Sequence, residues 1–408
     1  YYEREDGNGY FGVEEKYDDL LAGTKQKVVI ELDPYEMKEI PTAPAGASLI
    51  LTIDREIQRT IEKLLDASVK NNGAASGTII VMDPENGEIL AMATTPRLNP
   101  NTYWEYDDIF TAGISFNKAV SQVYEPGSVF KVLTMAAALD AGVVEPGTEF
   151  NDTGIIEVGG WDIYNWDRSA WGTQTMLGCM QHSLNVCLSW VATQLGAPRF
   201  YDYLNRFGIG HRTNIDLAGE EVYPLSEPDD PMWYTVNLAT NSFGQGVAVT
   251  PIQMIMAASA IANDGKMVAP HVLHAYIQNG QQFNTSPQIV GMPISAETAH
   301  TLTDMLATSL EEEASDALVE GYRVAGKTGT AQVPTPYGYY DSDLTNASFI
   351  GWGPVDDPQF LVYVWLENPK SSPWGSVVAA PVFRQVVEKL VVLEGIPPDD
   401  IRAQMVGR

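Results

Sequence analysis

The first clear hydrophobic pattern along the chain is a pair of apolar segments, 78–82 and 88–92, separated by a short polar turn. The turn contains Asn86 and Gly87, which adopt the positive φ angles of a tight hairpin at little cost. Apolar segments of this length on both sides of such a turn are typical of paired antiparallel strands. The pattern therefore predicts a buried β-hairpin.

Helical patterns surround this hairpin and dominate the middle of the chain. Apolar side chains in 57–65 recur three and four positions apart, and either Thr52 or Asp54 can cap that helix. A domain whose strands lie near both ends of the chain, with helices between them, typically has a mixed α and β fold. The sequence predicts an α/β (α+β) domain with an antiparallel sheet. The remaining patterns predict helices near 178–195, 199–207, 296–310 and 381–393 and from Pro251 onward, and strands over 49–51, 348–352 and 360–366.

Residues 1–48 differ in character from the rest of the chain. They are polar, acidic and rich in turn-forming residues, with one helical patch over 13–21 and one short apolar strand over 28–32. That is too little apolar surface to bury a core. We predict that 1–48 is the remnant of another domain or an extended arm, and that one large domain follows over 49–408.

Composition excludes several classes of function. The chain has 408 residues, and 24 basic against 53 acidic residues give a net charge of −29, which argues against nucleic acid or anionic lipid as a partner. Cysteine and histidine are too few for a metal site of the usual spacing. No apolar run reaches the roughly 18 residues of a membrane span. The protein is therefore either soluble or anchored by a segment upstream of this sequence.

The 2 cysteines, Cys179 and Cys187, lie eight positions apart in an apolar stretch that the pattern predicts to be one helix. We interpret them as small buried hydrophobic residues, and a disulfide is the less favoured alternative.

The stretch over 151–174 is predicted to be a loop and is rich in tryptophan, with Trp161, Trp166 and Trp171. These rings either line a groove for a sugar or peptide or fill the core beneath the loop. The sequence alone favours neither interpretation.

The first candidate for chemistry is Ser128, which follows the helix-breaking pair Pro126 and Gly127. As the first residue of a helix, its hydroxyl can accept from unpaired amides. Lys131 lies one turn further on, on the same face, at the start of an apolar run over 132–139. Burial favours a neutral lysine amine, and such an amine can take the proton of a serine nucleophile. The alternative is a capped helix whose lysine extends to the surface.

Ser183 and Asn185 form a second polar cluster, inside the apolar run over 180–191. On one continuous helix, residues two apart do not share a face, whereas in a loop or at a helix start both can point into a cleft. The alternative is the polar side of an amphipathic helix, and His182 beside them is interpreted as incidental.

A third cluster, Lys327, Thr328, Gly329 and Thr330, has the pattern of a strand on which alternate residues share a face. Gly329 leaves room for another chain to approach the backbone. An exposed strand beside a nucleophile can bind an extended peptide and donate an amide to an oxyanion. The alternative is an ordinary edge strand that a lysine protects from aggregation.

Together these clusters read S-x-x-K, S-x-N and K-T-G, in the order of the signature of serine β-lactamases and penicillin-binding proteins. The chain resembles the transpeptidase domain of class B penicillin-binding proteins over roughly residues 49–395. One departure is Leu184, a position at which family members vary. Residues 12–23 resemble the end of the class B pedestal domain and favour class B over the bifunctional class A enzymes. Other matching segments are 51–54 with Gln58, 82–92, 125–128, 244–246, 250–251 and 379–383.

The resemblance implies a β-lactamase/transpeptidase-like fold, in which an antiparallel central sheet is flanked by helices and joined by an all-helical subdomain. It assigns 1–48 to a remnant of the N-terminal pedestal domain and 49–408 to the transpeptidase domain.

The resemblance also implies acyl transfer at D-alanyl-D-alanine, with Ser128 as nucleophile and Lys131 as the preferred base, although the identity of the base stays open. Ser183 would relay a proton, Lys327 would hold that relay by its charge, and Asn185 would hold the substrate backbone. The remaining assignments are the amides of Ser128 and Thr330 for the oxyanion hole, Thr328 and Thr330 for the terminal carboxylate, and Gly329 for substrate binding at the strand edge.

The partners that the resemblance implies are peptidoglycan stem peptides, as acyl donor and as amine acceptor, and β-lactams that acylate Ser128. A membrane glycan polymerase of the SEDS family is a further expected partner. No metal or organic cofactor is required. The expected location is the bacterial cell membrane, with the catalytic domain outside the cytoplasm. Two alternatives stay open: a hydrolase of the D,D-carboxypeptidase or serine β-lactamase type, and a β-lactam sensor or cell-wall scaffold.

Overall fold

The computed structural model describes residues 8–9, 11–23, 45–110, 117–313, 315–334 and 344–406. The predicted strand over 28–32 lies outside these ranges. The helices are α1 (Gly12–Lys16), α2 (Asp18–Leu21), α3 (Arg55–Asn72), α4 (Tyr106–Ile109), α5 (Lys118–Ser121), α6 (Lys131–Asp140), α7 (Met176–Gln181), α8 (Asn185–Leu195), α9 (Ala197–Arg206), α10 (Thr235–Ser242), α11 (Pro251–Ala262), α12 (Ala296–Glu312), α13 (Gly375–Val378), α14 (Ala380–Leu393) and α15 (Asp399–Val406), with 3-10 helices over Pro100–Glu105 and Gly127–Phe130. The strands are β1 (Ser48–Leu51), β2 (Ser76–Met82), β3 (Ile89–Thr95), β4 (Glu149–Asp152), β5 (Ile155–Val158), β6 (Trp161–Tyr164), β7 (Gly172–Thr175), β8 (Met267–Val268), β9 (Leu273–Gln278), β10 (Gln281–Asn284), β11 (Ile289–Gly291), β12 (Ala325–Gln332), β13 (Thr345–Gly353) and β14 (Phe360–Glu367).

A five-stranded antiparallel sheet of order β12-β13-β14-β2-β3 forms the centre of the molecule. The predicted hairpin is confirmed as β2 and β3, with Ile80 opposite Met92. β14, from the far end of the chain, pairs with β2 and places Val364 opposite Ile79. The predicted mixed fold with an antiparallel sheet is therefore confirmed, and β12 lies at one edge of that sheet.

Alternate residues of these strands face two different cores. Ile79 and Val364 belong to a core that includes Ile57 and Ile61 of α3 together with Phe383 of α14. The neighbouring strand positions pack on the other side, against α11 and α12, in a core that also includes residues of α6 and α8. The period-2 alternation of the strands thus separates two helical layers, and the second layer is the helical subdomain that carries the candidate serine.

The cap of α3 is Asp54. Its carboxylate accepts from the backbone amides of Glu56 and Ile57, both at 2.8 Å. Thr52, the other candidate, donates to the carbonyl of Ile89 at 2.6 Å instead. The cap and the helix are therefore confirmed, and the ambiguity between the two residues is resolved.

The single helix predicted over 178–195 is wrong. The structure has α7 and α8 at an angle, because Ser183 adopts a left-handed conformation with φ 53°. The amide of Leu184 donates to the carbonyl of Cys179 at 3.0 Å, and that of Ser183 to Met180 at 3.3 Å. This is the bond pattern of a Schellman helix end, with the buried Leu184 as its apolar anchor.

The same break corrects the interpretation of the cysteines. Cys179 and Cys187 are both fully buried, as predicted, but they form a disulfide with 6.1 Å between the Cα atoms. On one continuous helix, eight residues would separate the Cα atoms by about 12 Å, too far for a disulfide. The turn at 182–184 folds the chain back and brings them within reach.

The predicted loop over 151–174 contains two small antiparallel pairs, β4 with β7 and β5 with β6. Upstream, the segment 11–23 packs on the large domain, since the Tyr17 hydroxyl donates to Asp216 at 2.7 Å. Asp216 also accepts from the amides of Val272 and Leu273.

None of the helices in the described ranges is long and apolar enough to cross a membrane. The described residues also contain no cluster of three or more histidine, cysteine or acidic side chains placed to hold a metal ion.

Candidate active site

Ser128 lies in the 3-10 turn Gly127–Phe130, which leads directly into α6. The expected capping role is wrong, because no side-chain cap bond starts this turn and the Ser128 hydroxyl makes no hydrogen bond to any described residue. The side chain is half-buried and accessible. A free, accessible hydroxyl at a helix start suits a nucleophile better than a cap.

Glycines determine how closely this turn approaches the sheet edge. A Cβ on Gly127, which has φ 60°, would lie 2.6 Å from the carbonyl oxygen of Thr330. A Cβ on Gly244 would lie 2.3 Å from the carbonyl oxygen of Gly127. Backbone therefore packs directly on backbone at both contacts, and Ser128 is held against β12.

Lys131 is fully buried, at 0% exposure, so the alternative of a surface lysine is wrong. Its Nζ donates to the carbonyl of Ser183 at 2.6 Å, to Ser183 Oγ at 3.1 Å and to Asn185 Oδ1 at 2.8 Å. It makes no hydrogen bond to Ser128 within the described structure. The first two sequence motifs thus meet at one amine.

The Schellman end of α7 explains how two residues two positions apart reach the same atom. Ser183 occupies the left-handed position and Asn185 begins α8, so both face Lys131. The Asn185 amide also donates to the carbonyl of Tyr164 at 3.2 Å, which ties the turn to β6. The prediction that both side chains can point into a cleft is confirmed, and the alternative of an amphipathic helix face is wrong.

The third motif lies on the edge strand β12, as predicted. Lys327 and Gly329 are buried while Thr328 and Thr330 on the other face are partly exposed, which confirms the predicted alternation. A Cβ on Gly329 would lie 2.2 Å from Ser348 Oγ and 2.9 Å from Val129 of the serine turn. The room beside Gly329 is therefore filled by this chain itself, which corrects the expectation of space for another chain.

The threonines of β12 have definite partners. The amide of Gly375 donates to Thr330 Oγ1 at 3.1 Å, and Lys327 Nζ donates to Thr328 Oγ1 at 3.3 Å. A Cβ on Gly375 would lie 2.2 Å from the carbonyl oxygen of Gly329. The start of α13 thus lies directly against the strand that the third motif forms.

The two lysines of the cleft differ in charge state. Burial lowers the pKa of Lys131 well below its ordinary 10.5, and the positive charge of Lys327 lowers it further. Burial also lowers the pKa of Lys327, to about 8, while the carboxylate of Glu313 opposes that fall. The site therefore favours the neutral amine at Lys131, whose pKa both burial and the charge of Lys327 lower, while Glu313 helps Lys327 to keep its charge.

The sequence singled out Trp166 but not its partner, Trp374. Their rings meet edge to face at 5.1 Å. His182, interpreted as incidental, stacks on Trp171 at 4.3 Å, and its carbonyl accepts from the Trp166 indole at 3.2 Å. Trp166 is 52% exposed and Trp161 is 62% exposed, whereas Trp171 is partly buried, so the interpretation that these rings fill the core is wrong for the first two. For Trp374 the sequence offered no signal, because its contact with Trp166 joins distant parts of the chain.

Comparison with known proteins agrees with this geometry. Residues 77–388 match the penicillin binding protein transpeptidase domain. The chain is 35% identical over 408 residues to stage V sporulation protein D of Bacillus subtilis, covering 96% of this chain and 62% of that protein. It thus spans less than two thirds of that relative. It is 31% identical to the probable peptidoglycan D,D-transpeptidase PbpC of Pseudomonas aeruginosa, over 97% of this chain and 69% of the relative.

Solved structures show the same fold. The crystal structure of penicillin binding protein 3 from Mycobacterium tuberculosis, in its apo form, matches with a TM-score of 0.84 and 30% identity over 97% of this chain and 88% of that chain. The same protein complexed with aztreonam also matches with a TM-score of 0.84. On this combined agreement of sequence and fold, the chain belongs to the class B penicillin-binding protein transpeptidases.

Proposed function

We propose that this chain is a serine D,D-transpeptidase that cross-links peptidoglycan stem peptides. The observation that carries the proposal is the buried amine of Lys131, one helical turn after Ser128 and bonded to both Ser183 and Asn185. A lysine whose pKa is lowered by burial can act as a base at neutral pH. The name of the Pseudomonas aeruginosa relative, a probable peptidoglycan D,D-transpeptidase, supports the same reaction.

Acylation begins when Ser128 Oγ attacks the carbonyl carbon of the penultimate D-alanine and its proton passes to Lys131 Nζ. The oxyanion that forms accepts from the amides of Ser128 and Thr330. In related oxyanion holes, loss of one donor costs about 10²- to 10³-fold in rate. The tetrahedral intermediate then expels D-alanine, whose amine must receive a proton.

That proton returns along the hydrogen bonds of the site. Ser183 Oγ is 3.1 Å from Lys131 Nζ, so it can accept the proton from the lysine and pass its own to the leaving amine. The ammonium of Lys327 favours this direction of transfer by its charge. In the second half of the reaction, the amine of another stem peptide attacks the acyl-enzyme and Ser128 Oγ leaves with a proton.

The substrate lies between the turn that carries Asn185 and the edge strand β12. Asn185 holds the peptide backbone, and the partly exposed Thr330 offers main-chain groups for strand addition at the edge of β12. Thr328 and Thr330 bind the terminal carboxylate. Because Thr330 Oγ1 accepts from Gly375, its own proton stays available for that carboxylate.

The wider assignments have the family as their support. We infer that 1–48 is a remnant of the pedestal domain, that the chain is part of a longer protein of the bacterial cell membrane, and that the transpeptidase domain works outside the cytoplasm. β-Lactams acylate Ser128 in the same way as the substrate, and the aztreonam complex of the Mycobacterium tuberculosis protein supports this class of ligand. A SEDS-family glycan polymerase is the proposed membrane partner.

Labelling with a fluorescent penicillin tests the proposal. We expect a stable adduct on Ser128, located by mass spectrometry, and complete loss of labelling in Ser128→Ala. Ser286→Ala, at an exposed serine between β10 and β11, is the matched control and labels normally. An adduct on any other serine would refute the assignment.

The hydrolytic and sensor alternatives require a second measurement. A peptide ending in D-alanyl-D-alanine is incubated with the protein and an acceptor amine, and products are separated by mass. Amide products support the transpeptidase, free carboxylic acid alone supports a carboxypeptidase, and an adduct without either product supports a sensor.

A further inference from the structure

Helix α8 begins at Asn185 without a side-chain cap of its own. Its N-cap residue is Leu184, whose apolar side chain offers no hydrogen-bond acceptor. The first amides of a helix have no partner within the helix, so an oxygen from elsewhere must accept from them. Asn185 is also the residue whose Oδ1 accepts from Lys131 Nζ at 2.8 Å. The start of α8 therefore decides where this side chain lies relative to Lys131.

Asn165, which directly follows β6, supplies the acceptor that the helix lacks. Its Oδ1 accepts from the amide of Val186 at 3.1 Å, which is an amide that a capping side chain would normally satisfy. The carbonyl of Tyr164, one residue earlier, accepts from Asn185 Nδ2 at 3.2 Å. Asn165 is only 2% exposed. Two consecutive residues after β6 thus hold two consecutive residues at the start of α8.

A buried carboxylate fixes the orientation of the Asn165 amide group. Asp152, at the end of β4, is 1% exposed, and its Oδ2 accepts from Asn165 Nδ2 at 2.6 Å. Asp152 also accepts from the backbone amides of Trp171 at 3.1 Å and Gly154 at 3.0 Å. The carbonyl of Ser169 accepts a second bond from Asn165 Nδ2 at 3.1 Å. Because only a donor can face these acceptors, the nitrogen of Asn165 faces Asp152 and its oxygen faces α8.

Burial makes this arrangement the favoured one. A buried polar group that loses its partner costs the full desolvation of that group, so each bond of the network holds the next one in place. The network runs from Asp152 through Asn165 to the first turn of α8, and it reaches the catalytic cleft at Asn185.

We propose that Asn165 is a positioning residue that caps α8 from a neighbouring segment and so holds Asn185 against Lys131, and that Asp152 keeps Asn165 in the required orientation. This inference rests on the proposed function and deepens it, because it concerns how the site that acylates Ser128 is held. Within the part of the chain that the structure describes, neither Asn165 nor Asp152 bonds Ser128 or Lys131. Both act through the first turn of α8.

The rate of Ser128 acylation by a fluorescent penicillin, expressed per folded molecule, measures this role. Asn165→Ala removes the cap, and we expect the second-order rate constant to fall by roughly 10- to 10²-fold, the cost of displacing a group of the site by about 1 Å. Asp152→Asn keeps the shape of that side chain and removes one of its two acceptors, so a smaller fall is expected. Should Asn165→Ala fail to fold, Asp152→Asn replaces it in every comparison below.

A double-mutant cycle tests whether the cap acts through Asn185. Asn165→Ala is compared in the wild type and in an Asn185→Ala background, with labelling times long enough for the slow variants. We expect the full effect in the wild type and almost none in the Asn185→Ala background, because that background has already lost the side chain that the cap holds. Independent effects would multiply instead.

Two control variants separate the cap of α8 from a general loss of stability. Asn151→Ala makes the same substitution at the exposed neighbour of Asp152, and it should leave both acylation and the melting temperature unchanged. Asp54→Ala removes the cap of α3 on the opposite face of the sheet. It should lower the melting temperature while acylation per folded molecule stays at the wild-type rate.

Three outcomes would overturn the inference and leave the proposed function in place. They are acylation in Asn165→Ala within about threefold of the wild type, an equal fold-change with and without the Asn185 side chain, and an equal loss of acylation in Asp54→Ala. Absence of any wild-type adduct on Ser128 would overturn both proposals together.

Discussion

Two lysines of this protein are buried to nearly the same extent, but their surroundings lead to opposite chemistry. Lys118, at the end of the sheet, is 8% exposed and donates to Glu367 at 2.7 Å and to Ser76 Oγ at 2.8 Å. Lys131, in the cleft, is 0% exposed, and among the described residues it bonds neutral oxygens of Ser183 and Asn185.

The two lysines differ in their hydrogen-bonding partners and not in how deeply they are buried. Glu367 offers Lys118 a full negative charge, and although burial alone would raise the pKa of that carboxyl, its bonds to Lys118 and Ser76 lower it. Within the described ranges Lys131 bonds no carboxylate, and the charge of Lys327 acts on it. Lys118 is thus a structural cation, and Lys131 is a potential base.

The largest expected effect comes from replacing the base. Lys131→Met keeps the apolar stem and removes the amine, and we expect the rate of Ser128 acylation to fall by about 10²- to 10⁴-fold, the usual contribution of a general base. Stopped-flow labelling with a fluorescent penicillin measures it. Acylation within threefold of the wild type would assign the base to another group.

The same substitution at the structural lysine should affect stability instead. Lys118→Met leaves Glu367 without its partner, and we expect a loss of about 2–3 kcal/mol in the free energy of unfolding. The loss is below that of a fully buried pair, because 31% of the Glu367 side chain is exposed. Acylation per folded molecule should remain at the wild-type rate, measured on the same samples.

The double variant Lys118→Met, Glu367→Leu sharpens this result. Replacing both partners by apolar residues removes the unpaired charge, so most of the lost stability should return. A double variant as unstable as the single one would mean that packing around Lys118, and not the ion pair, holds this end of the sheet.

The smallest expected effect is on the pH dependence of stability. Because the pKa of Lys131 is lowered on folding, the unfolded chain binds more protons between that lowered value and 10.5, and this group makes the fold more stable as pH rises through that window. The pKa of Glu367 is lowered on folding, so its carboxylate stabilises the fold fully above pH 4.5, the ordinary pKa. This stabilisation is lost as the pH falls through the lowered pKa of the folded state.

Urea unfolding across pH separates these contributions. The difference in unfolding free energy between the wild type and Lys131→Met should change with pH across the window between the lowered pKa of Lys131 and 10.5. The difference between the wild type and the Lys118/Glu367 double variant should shrink in acid, as the pH falls through the lowered pKa of Glu367. A flat alkaline difference would mean that Lys131 titrates normally in the fold.

Regular patterns made most of the fold predictable. The apolar spacing of α3, the Asn86-Gly87 turn and the proline near the start of α14 each depend on neighbours within a few residues, and all were confirmed. The three motifs were predictable as a set, and the structure brings two of them together at Lys131. The catalytic roles stay predictions until they are measured.

The features that the sequence did not predict have physical causes. The break at Ser183 contains neither glycine nor proline, so the apolar pattern continued across it and predicted one helix, without the turn or the disulfide. The pairs Lys118–Glu367 and Trp166–Trp374 join residues more than 200 positions apart, and no periodic pattern reports such contacts. Such long-range contacts can be identified only once the fold is known.

The glycines around Ser128 have a consequence for how the site can change. From Gly244 through Gly127 to the edge strand, and from that strand to Gly375, the shortest approach in each layer is to a backbone carbonyl oxygen. The nearest side-chain atoms are Cβ atoms of Phe130 and Ala331, which a substitution cannot shorten without replacing them by glycine. If the proposed function holds, new acyl donors are therefore accommodated at the periphery, at positions such as Trp166 and Trp374, while the reacting centre keeps its dimensions.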